Sequence, residues 1–385
     1  MIENLYRIRK IFLASFFLFC FGFTNATGQD GYQFKEIKRL PATSVKNQGK
    51  TGTCWTFSTL SMLESELMRK GTGKYNLSEM FVVRQSYLDR ANLYVRFHGN
   101  LNFGPGAQAW DVMNVLDKYG IVPQKAFPGL KVEKEYHSHS EMDRVLAGYM
   151  ESVIQNENEK LTAVWDDGFE GILTAYLGAY PENFTFDGEA YTPASFLNKL
   201  EINPDNYIPM TSFKNHSYFS EYVFESPDNW SMESIYNVPL ETFVDLIDEA
   251  IVKGYTVAWA ADVTDPGFSH PKGMAIVPEE DWDEMGEAKK EKVFEVPVQQ
   301  RKITEDMRLN AFNNQTTTDD HLMHIVGMAK DQKGTTYYIV KNSWGKENPY
   351  GGYLYVSEAY VKYKTTSIML NKKALSQDLR EKLAL

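Results

Sequence analysis

The spacing of apolar residues after position 54 predicts a first helix. Apolar side chains recur every three or four residues over 57–67, with polar side chains between them, which is the period of one helical face. The basic pair and the glycine at 69–71 are typical of a helix end. Because a polar loop with two glycines at 47–53 precedes this stretch, we expect the helix to begin at Cys54.

Two more helices are expected in the first third of the chain. Ser78 is a suitable N-cap for a helix over about 80–97. Another helix is expected over 107–120, after a turn-rich stretch. The middle of the chain, roughly 128–248, is rich in tyrosine, asparagine, proline and acidic residues, and we expect helices and long loops there.

The pattern changes from helical to strand-like towards the C-terminus. Residues 324–328 and 337–341 are β-rich runs, and a polar turn at 331–334 joins them, which predicts a hairpin. Residues 353–356 offer a further strand. Helices early and strands late indicate an α+β fold in two lobes, with a cleft between the lobes.

The composition is that of a globular protein with an acidic surface. The chain has 385 residues, of which 43% are hydrophobic, so it can bury a sizeable core. Its formal charge of −11 argues against a nucleic-acid partner, which would favour a basic face.

The first 28 residues have the pattern of a secretory signal peptide. Three basic residues at 7–10 precede an apolar run at 11–23, which is short for a membrane span. An uncleaved anchor is the alternative. A lipid anchor on Cys20 is disfavoured because Phe19 precedes it. We therefore expect a signal peptide at 1–28, no stable membrane anchor, and a mature protein that is secreted or periplasmic.

The chain contains two cysteines, Cys20 and Cys54. Cleavage of the signal leaves Cys54 as a lone thiol. A buried structural cysteine is one explanation. The other is a nucleophile, because the free N–H groups and the dipole at the start of a helix favour the thiolate.

A nucleophilic cysteine needs a histidine that accepts its proton. Five of the seven histidines lie in stretches typical of loops or polar helix surface: His98, His137, His139, His216 and His270. His321 and His324 remain as candidates. We favour His324 because it begins the apolar strand predicted at 324–328, and a rigid element holds catalytic geometry well.

Two further side chains complete the predicted site. Asn342, at the end of the second strand of the hairpin, is expected to orient the histidine, with Trp344 shielding their hydrogen bond from water. Gln48 lies six residues before Cys54, so its amide can join the Cys54 backbone N–H as a donor to an oxyanion. A solvent-exposed loop glutamine and an ordinary strand end are the alternatives.

The ordered set of these motifs resembles the papain superfamily of cysteine peptidases. That family has a Gln shortly before Cys-Trp, then a His that opens a strand, then Asn-Ser-Trp-Gly. The corresponding segments here are 47–49, 53–58, 324–327 and 341–345. The resemblance implies a papain-like fold in which a helical lobe carries Cys54 and a β lobe carries His324 and Asn342. It makes these three residues and Gln48 the expected catalytic residues, and the chemistry requires no cofactor or metal.

Within that superfamily the chain resembles the bleomycin hydrolase or aminopeptidase C family. The segments 104–111 and 118–123 are similar to family motifs, and the long separation of Cys54 from His324 implies a large insertion, at about 128–248. We expect one peptidase domain over 29–385 without an inhibitory prosegment. In that family a C-terminal arm, here 371–385, lies in the cleft and its carboxylate receives the free amine of the substrate, inside a hexameric ring.

The leading hypothesis is therefore an exported thiol aminopeptidase that acts on peptides. A secreted endopeptidase of the same fold is the nearest alternative. An inactive binding or scaffold homologue is a third, although all the expected site residues are present.

Overall fold

The computed structural model describes residues 31–130, 136–157 and 160–385. The predicted signal peptide at 1–28, with Cys20, lies outside the described residues. Within the described part of the chain, no helix combines the length and the apolar character needed to cross a bilayer.

Eleven α-helices occur within the described residues. They are α1 (Cys54–Lys70), α2 (Glu79–Arg96), α3 (Ala109–Tyr119), α4 (Ser140–Ile154), α5 (Val164–Leu177), α6 (Pro193–Leu200), α7 (Leu240–Lys253), α8 (Glu287–Lys292), α9 (Glu305–Asn313), α10 (Glu358–Lys364) and α11 (Gln377–Lys382).

The strands are short except for one. They are β1 (Lys35–Arg39), β2 (Phe184–Phe186), β3 (Glu189–Tyr191), β4 (Tyr207–Thr211), β5 (Ser220–Val223), β6 (Ser234–Asn237), β7 (Val257–Ala261), β8 (Phe268–Ser269), β9 (Met274–Ala275), β10 (His321–Lys330), β11 (Thr336–Lys341), β12 (Tyr353–Ser357) and β13 (Thr365–Asn371).

The three helices predicted in the first third of the chain are confirmed. The helix α1 begins at Cys54 and ends before Gly71, which adopts the left-handed conformation at φ 76°. The helix α2 is capped by Ser78, whose side chain accepts a hydrogen bond from the Phe81 N–H. The helix α3 ends at Gly120 as expected and begins two residues later than predicted.

Within the described residues, eleven strands form one large mixed sheet with the site at its centre, and β2 and β3 pair with each other separately. The order across the sheet is β5, β6, β4, β13, β7, β10, β11, β12, β9 and β8, and β1 pairs with the second half of β10. The predicted hairpin is confirmed as β10 and β11, which pair antiparallel. The strand β10 begins at His321, three residues earlier than predicted, and pairs His321 with Ala261 of β7.

The middle of the chain contains more strand than expected. The strands β4, β5 and β6 all fall within 128–248 and extend the main sheet beyond β13. Alternation is visible in β6, where Ile235 and Asn237 are buried and their neighbours are half-buried. The segment therefore joins the β lobe as well as adding helices.

The helix α1 connects the two lobes. Its side chains Leu60 and Leu63 belong to the core of the helical lobe. Its other face lies along β10, where the Ser58 hydroxyl donates a hydrogen bond to the Met323 carbonyl at 2.5 Å. Cys54 is therefore placed where the helical lobe meets the sheet. The predicted papain-like α+β architecture is confirmed.

The C-terminal arm packs on the outer face of the β lobe. Leu375, Leu379 and Leu383 are buried in the apolar cluster formed with α7, and the Leu385 N–H donates to the Arg380 carbonyl. Residue 385 thus contacts the helix α11 of the same arm. The placement in the cleft that the family resemblance implied does not appear for these residues.

Candidate active site

Cys54 occupies the first position of α1. The N-cap residue Thr53 makes no side-chain capping bond, and the first turn contains no acidic residue. No side chain therefore caps the start of the helix, although the Thr56 N–H donates to the Thr53 carbonyl, and the N–H of Cys54 itself is left to an anion. Cys54 is buried, with 8% of its surface exposed.

Gln48 is held beside this helix terminus by three hydrogen bonds. Its backbone N–H donates to the Ser343 carbonyl at 2.8 Å, and its side-chain Oε1 accepts from the Ser343 hydroxyl at 2.6 Å. Its Nε2 donates to the Thr51 carbonyl at 2.8 Å. Because an amide nitrogen carries two hydrogens, one remains for an oxyanion.

The loop that carries Gln48 is also fixed from outside. Gly49 has φ 68°, and a Cβ there would lie 2.3 Å from the His137 carbonyl oxygen. Lys50 exchanges backbone hydrogen bonds with His137 and His139. A glycine is therefore required at position 49, and segment 137–139 supports the loop.

His321 contacts Asn342 directly. The Nε2 of His321 lies 2.7 Å from Oδ1 of Asn342, so Nε2 carries the proton and Nδ1 is left to accept one. Trp344 stacks on the imidazole, with ring centroids 4.4 Å apart. Trp344 was predicted to shield the hydrogen bond between Asn342 and His324. In the structure it covers the hydrogen bond between Asn342 and His321.

The expected contact between Asn342 and His324 is wrong. His324 Nδ1 lies 2.9 Å from the Ser61 hydroxyl of α1, and its register partner is Lys341. Residues three apart in a strand point to opposite faces, so His321 and His324 cannot share one partner. The strand places His321, rather than His324, against Asn342.

His270 was missed by sequence reasoning. Its Nδ1 lies 3.1 Å from Nδ2 of Asn342, and its ring lies edge-on to Trp344. Asn342 thus donates to His270 while it accepts from His321. The turn after β8 carries no local signal for this role, because the contact spans 72 positions.

Burial favours neutral groups in the site. Burial raises the pKa of the Cys54 thiol to about 12, although a hydrogen bond from the Leu322 backbone N–H lowers it. Burial lowers the pKa of His321 to about 4, although the bond to Asn342 raises it. Burial thus opposes the thiolate that the helix terminus favours. Transfer of a proton from Cys54 to His321 would create two opposite charges that stabilise each other.

Comparisons with known proteins identify the family of the chain. The model of the Peptidase C1-like family matches residues 101–384. Aminopeptidase G of Lactobacillus delbrueckii is 25% identical, covering 90% of this chain and 84% of that protein. Rat bleomycin hydrolase is 22% identical, with the same two coverages.

A solved structure extends the comparison to the fold. The crystal structure of pepw from Lactobacillus rhamnosis matches 91% of this chain and 84% of its own, with a TM-score of 0.70 and 18% identity. The agreement in fold spans both lobes. The family match covers well over half of the chain. The protein is therefore a cysteine peptidase that belongs to the Peptidase C1-like family.

Proposed function

We propose that this protein is an exported aminopeptidase that cleaves peptides next to a free N-terminus. Cys54 is the nucleophile, His321 the general base and acid, Asn342 the residue that orients His321, and Gln48 an oxyanion donor. The observation that carries the proposal is the contact of His321 with Asn342 beneath Trp344, next to a thiol at a helix N-terminus. The relatives named aminopeptidase support the free-amine specificity.

The first half of the reaction acylates the enzyme. His321 removes the proton of Cys54, and the sulfur attacks the carbonyl carbon of the scissile bond. The resulting oxyanion accepts hydrogen bonds from the Cys54 backbone N–H and Gln48 Nε2, which are in place before the reaction. His321 then gives its proton to the leaving amine, and the C–N bond breaks.

The second half of the reaction releases the acid. Water gives a proton to His321 as its oxygen attacks the thioester carbon. The same oxyanion donors serve again, and Cys54 leaves as a thiol after it regains the proton. The residues named above supply every proton donor and acceptor for both halves.

Activity-based labelling tests the proposed nucleophile. The purified mature chain should react with a thiol-reactive epoxide and hydrolyse aminoacyl coumarin amides. Cys54→Ala should lose both labelling and turnover and keep its thermal unfolding transition. Persistent turnover in that variant would remove Cys54 from the mechanism.

Substrate blocking tests the aminopeptidase mode. We expect substrates with a free N-terminal amine to be cleaved with a much higher kcat/KM than their N-acetylated counterparts. Equal rates on long, N-acetylated peptides would indicate an endopeptidase instead. A protein without turnover on either class would support a binding role.

Export is tested by fractionation. The pattern of the first 28 residues supports cleavage by a signal peptidase. We expect the expressed protein outside the cytoplasm, with an N-terminus after residue 28 by mass spectrometry. An intact N-terminus in the cytoplasm would contradict this part of the proposal.

A further inference from the structure

A loop of the β lobe lies across the cleft beside the nucleophile. It joins β5 to β6 and comprises residues 224–233. On the helical lobe, Asn102 Nδ2 donates to the Pro227 carbonyl at 3.0 Å, and Trp110 Nε1 donates to Asn229 Oδ1 at 3.0 Å. On the β lobe, the Ser226 hydroxyl donates to Asp319 at 2.7 Å. The cleft loop, as we call residues 224–233, is therefore tied to both walls.

The cleft loop places the carboxylate of Asp228 near Cys54. Trp55, the residue after Cys54, donates through Nε1 to the Pro105 carbonyl at 3.0 Å. A Cβ on the next residue, Gly106, would lie 2.1 Å from Oδ2 of Asp228. The charge of Asp228 also acts on the thiol, since it raises the pKa of Cys54. The carboxylate therefore lies on the wall formed by 104–106, beside the nucleophile.

The carboxylates of Asp228 and Asp319 both lie beside the cleft loop, and only Asp228 has an oxygen free to accept a hydrogen bond from a ligand. Asp319 accepts hydrogen bonds from Ser226, Thr366 and Gln108. Asp228 accepts one bond at Oδ1, from Asn102 Nδ2 at 3.1 Å. Across residues 31–130, 136–157 and 160–385, no donor reaches its Oδ2.

One cation, Arg90, acts on Asp228, and it is shared with other groups. Arg90 donates to the carbonyls of Gly104 and Gly106, lies over the ring of Trp230, and interacts electrostatically with Asp111 as well as with Asp228. Burial raises the pKa of Asp228 to about 6 and the charge of Asp319 raises it further, whereas the charge of Arg90 lowers it. Burying a carboxylate that is only partly neutralised is costly, and a ligand cation would lower that cost.

A cavity opens beside this carboxylate. Its volume is about 440 Å³, which is within the range of ligand pockets. Asp228, Thr317 and Asp319 are among its lining residues. Thr317 is 3% exposed, and its hydroxyl has no hydrogen-bond partner among the described residues. Oδ2 of Asp228 and the Thr317 hydroxyl are thus polar atoms beside this cavity that have no hydrogen-bond partner among the described residues.

We propose that Asp228 binds the α-ammonium group of the substrate and that the cleft loop blocks the path beyond it. This inference rests on the proposed aminopeptidase function and names the group that reads the free N-terminus. An ammonium group supplies three donors and one positive charge, which match the free Oδ2 and the excess negative charge of Asp228 and Asp319. Segment 371–385 is not needed for this role, because its apolar side chains pack in the cluster with α7.

The experiment compares Asp228→Asn with the matched control Glu221→Gln. Both changes remove one negative charge, and Glu221 is exposed on β5, outside the lining of the cavity. We measure kcat/KM for aminoacyl coumarin amides with free and with acetylated amines, per active site titrated with the epoxide. Asp228→Asn should lower the ratio of free to blocked turnover by roughly 10- to 100-fold. Glu221→Gln should preserve the ratio.

Two further variants keep the test decisive. Asp228→Glu retains the charge and should keep more of the free-amine preference than Asp228→Asn. Deletion of Ala384 and Leu385 should leave the ratio unchanged, because these residues lie on the outer face. The proposal is overturned if Asp228→Asn keeps the wild-type ratio, or if the deletion abolishes it instead.

The outcomes separate this inference from the proposed function. A wild-type protein without preference for free amines refutes the aminopeptidase mode itself. A wild-type preference that survives Asp228→Asn refutes only the role of Asp228. Turnover of acetylated substrate by each variant reports that its catalytic residues remain folded.

Discussion

Oδ1 of Asn342 lies 2.7 Å from Nε2 of His321, and this contact is the reason for proposing His321 as the base that serves Cys54. His324, three residues along the same strand, has its Nδ1 2.9 Å from the Ser61 hydroxyl. Burial lowers the pKa of His324 well below its usual value, and the charge of Lys341 lowers it further. His324 is therefore a neutral, buried residue of the interface between α1 and β10.

Separate substitution of each histidine tests the proposed role of His321 as the base. His321→Ala should reduce kcat by about 10²- to 10⁴-fold, because the general base is lost. His324→Gln keeps a hydrogen-bonding side chain and should change kcat/KM by less than about tenfold. A loss of activity in His324→Gln comparable to that in His321→Ala, with both variants folded by circular dichroism, would contradict the assignment.

Much of this fold was predictable because its signals are local. The helix from Cys54 to Lys70 is read from apolar spacing and a terminal glycine, and Ser78 caps the next helix as its residue type suggests. The hairpin of β10 and β11 follows from two apolar runs and a polar turn. In each case the residues whose pattern predicts the element are the same residues that form its hydrogen bonds and its packing.

The choice between the two histidines was not predictable from such signals. The start of β10 is fixed by pairing of His321 with Ala261, which is 60 positions earlier in the chain. Residues three apart in a strand lie on opposite faces, so the local sequence of β10 does not show which of the two histidines faces the site. The position of the C-terminal arm, by contrast, carried a usable signal, since Leu375, Leu379 and Leu383 recur at four-residue spacing as on one face of a helix.

Gln48 should act on kcat rather than on substrate binding. Its Nε2 is available to the oxyanion, which forms only in the transition state. We expect Gln48→Ala to lower kcat by about 10²-fold with little change in KM. Ser343→Ala removes the bond that holds Gln48 Oε1 and should give a smaller loss in kcat. Steady-state kinetics with a free-amine substrate check both, and a change confined to KM would argue against an oxyanion role.

His270 should position Asn342. Because Asn342 Nδ2 lies 3.1 Å from His270 Nδ1, the amide is oriented with Oδ1 towards His321. His270→Ala removes that acceptor, and we expect kcat to fall by about tenfold while KM changes less. His270→Gln restores an acceptor and should recover part of kcat. Equal losses in the two variants would point to packing against Trp344 instead.

The C-terminal arm should contribute to stability. Leu379 is buried in the cluster with α7, so Leu379→Ala should lower the free energy of unfolding by about 2–5 kcal/mol. Leu385 is 38% exposed, and Leu385→Ala should have little effect. Urea unfolding of the two variants measures the difference. A similar small effect for both would show that the arm leaves α7 in solution.

The segment that supports the Gln48 loop should make the fold sensitive to acid. Burial lowers the pKa of His139 to about 4, and neighbouring His137 lowers it further, whereas an unfolded histidine titrates near 6.5. Between these values the unfolded state binds a proton that the folded state does not, so stability falls as the pH is lowered. At pH 5 this histidine alone should cost about 2 kcal/mol.

His139→Gln removes that proton uptake without removing a bond, because Nδ1 of His139 has no partner among the described residues. The variant should therefore lose less unfolding free energy than wild type between pH 7 and pH 5. His98→Asn, at an exposed position, should follow wild type. If His139→Gln also follows wild type, His139 is protonated in the folded state at pH 5. Segment 137–139 would then accommodate a charge beside the loop that carries Gln48.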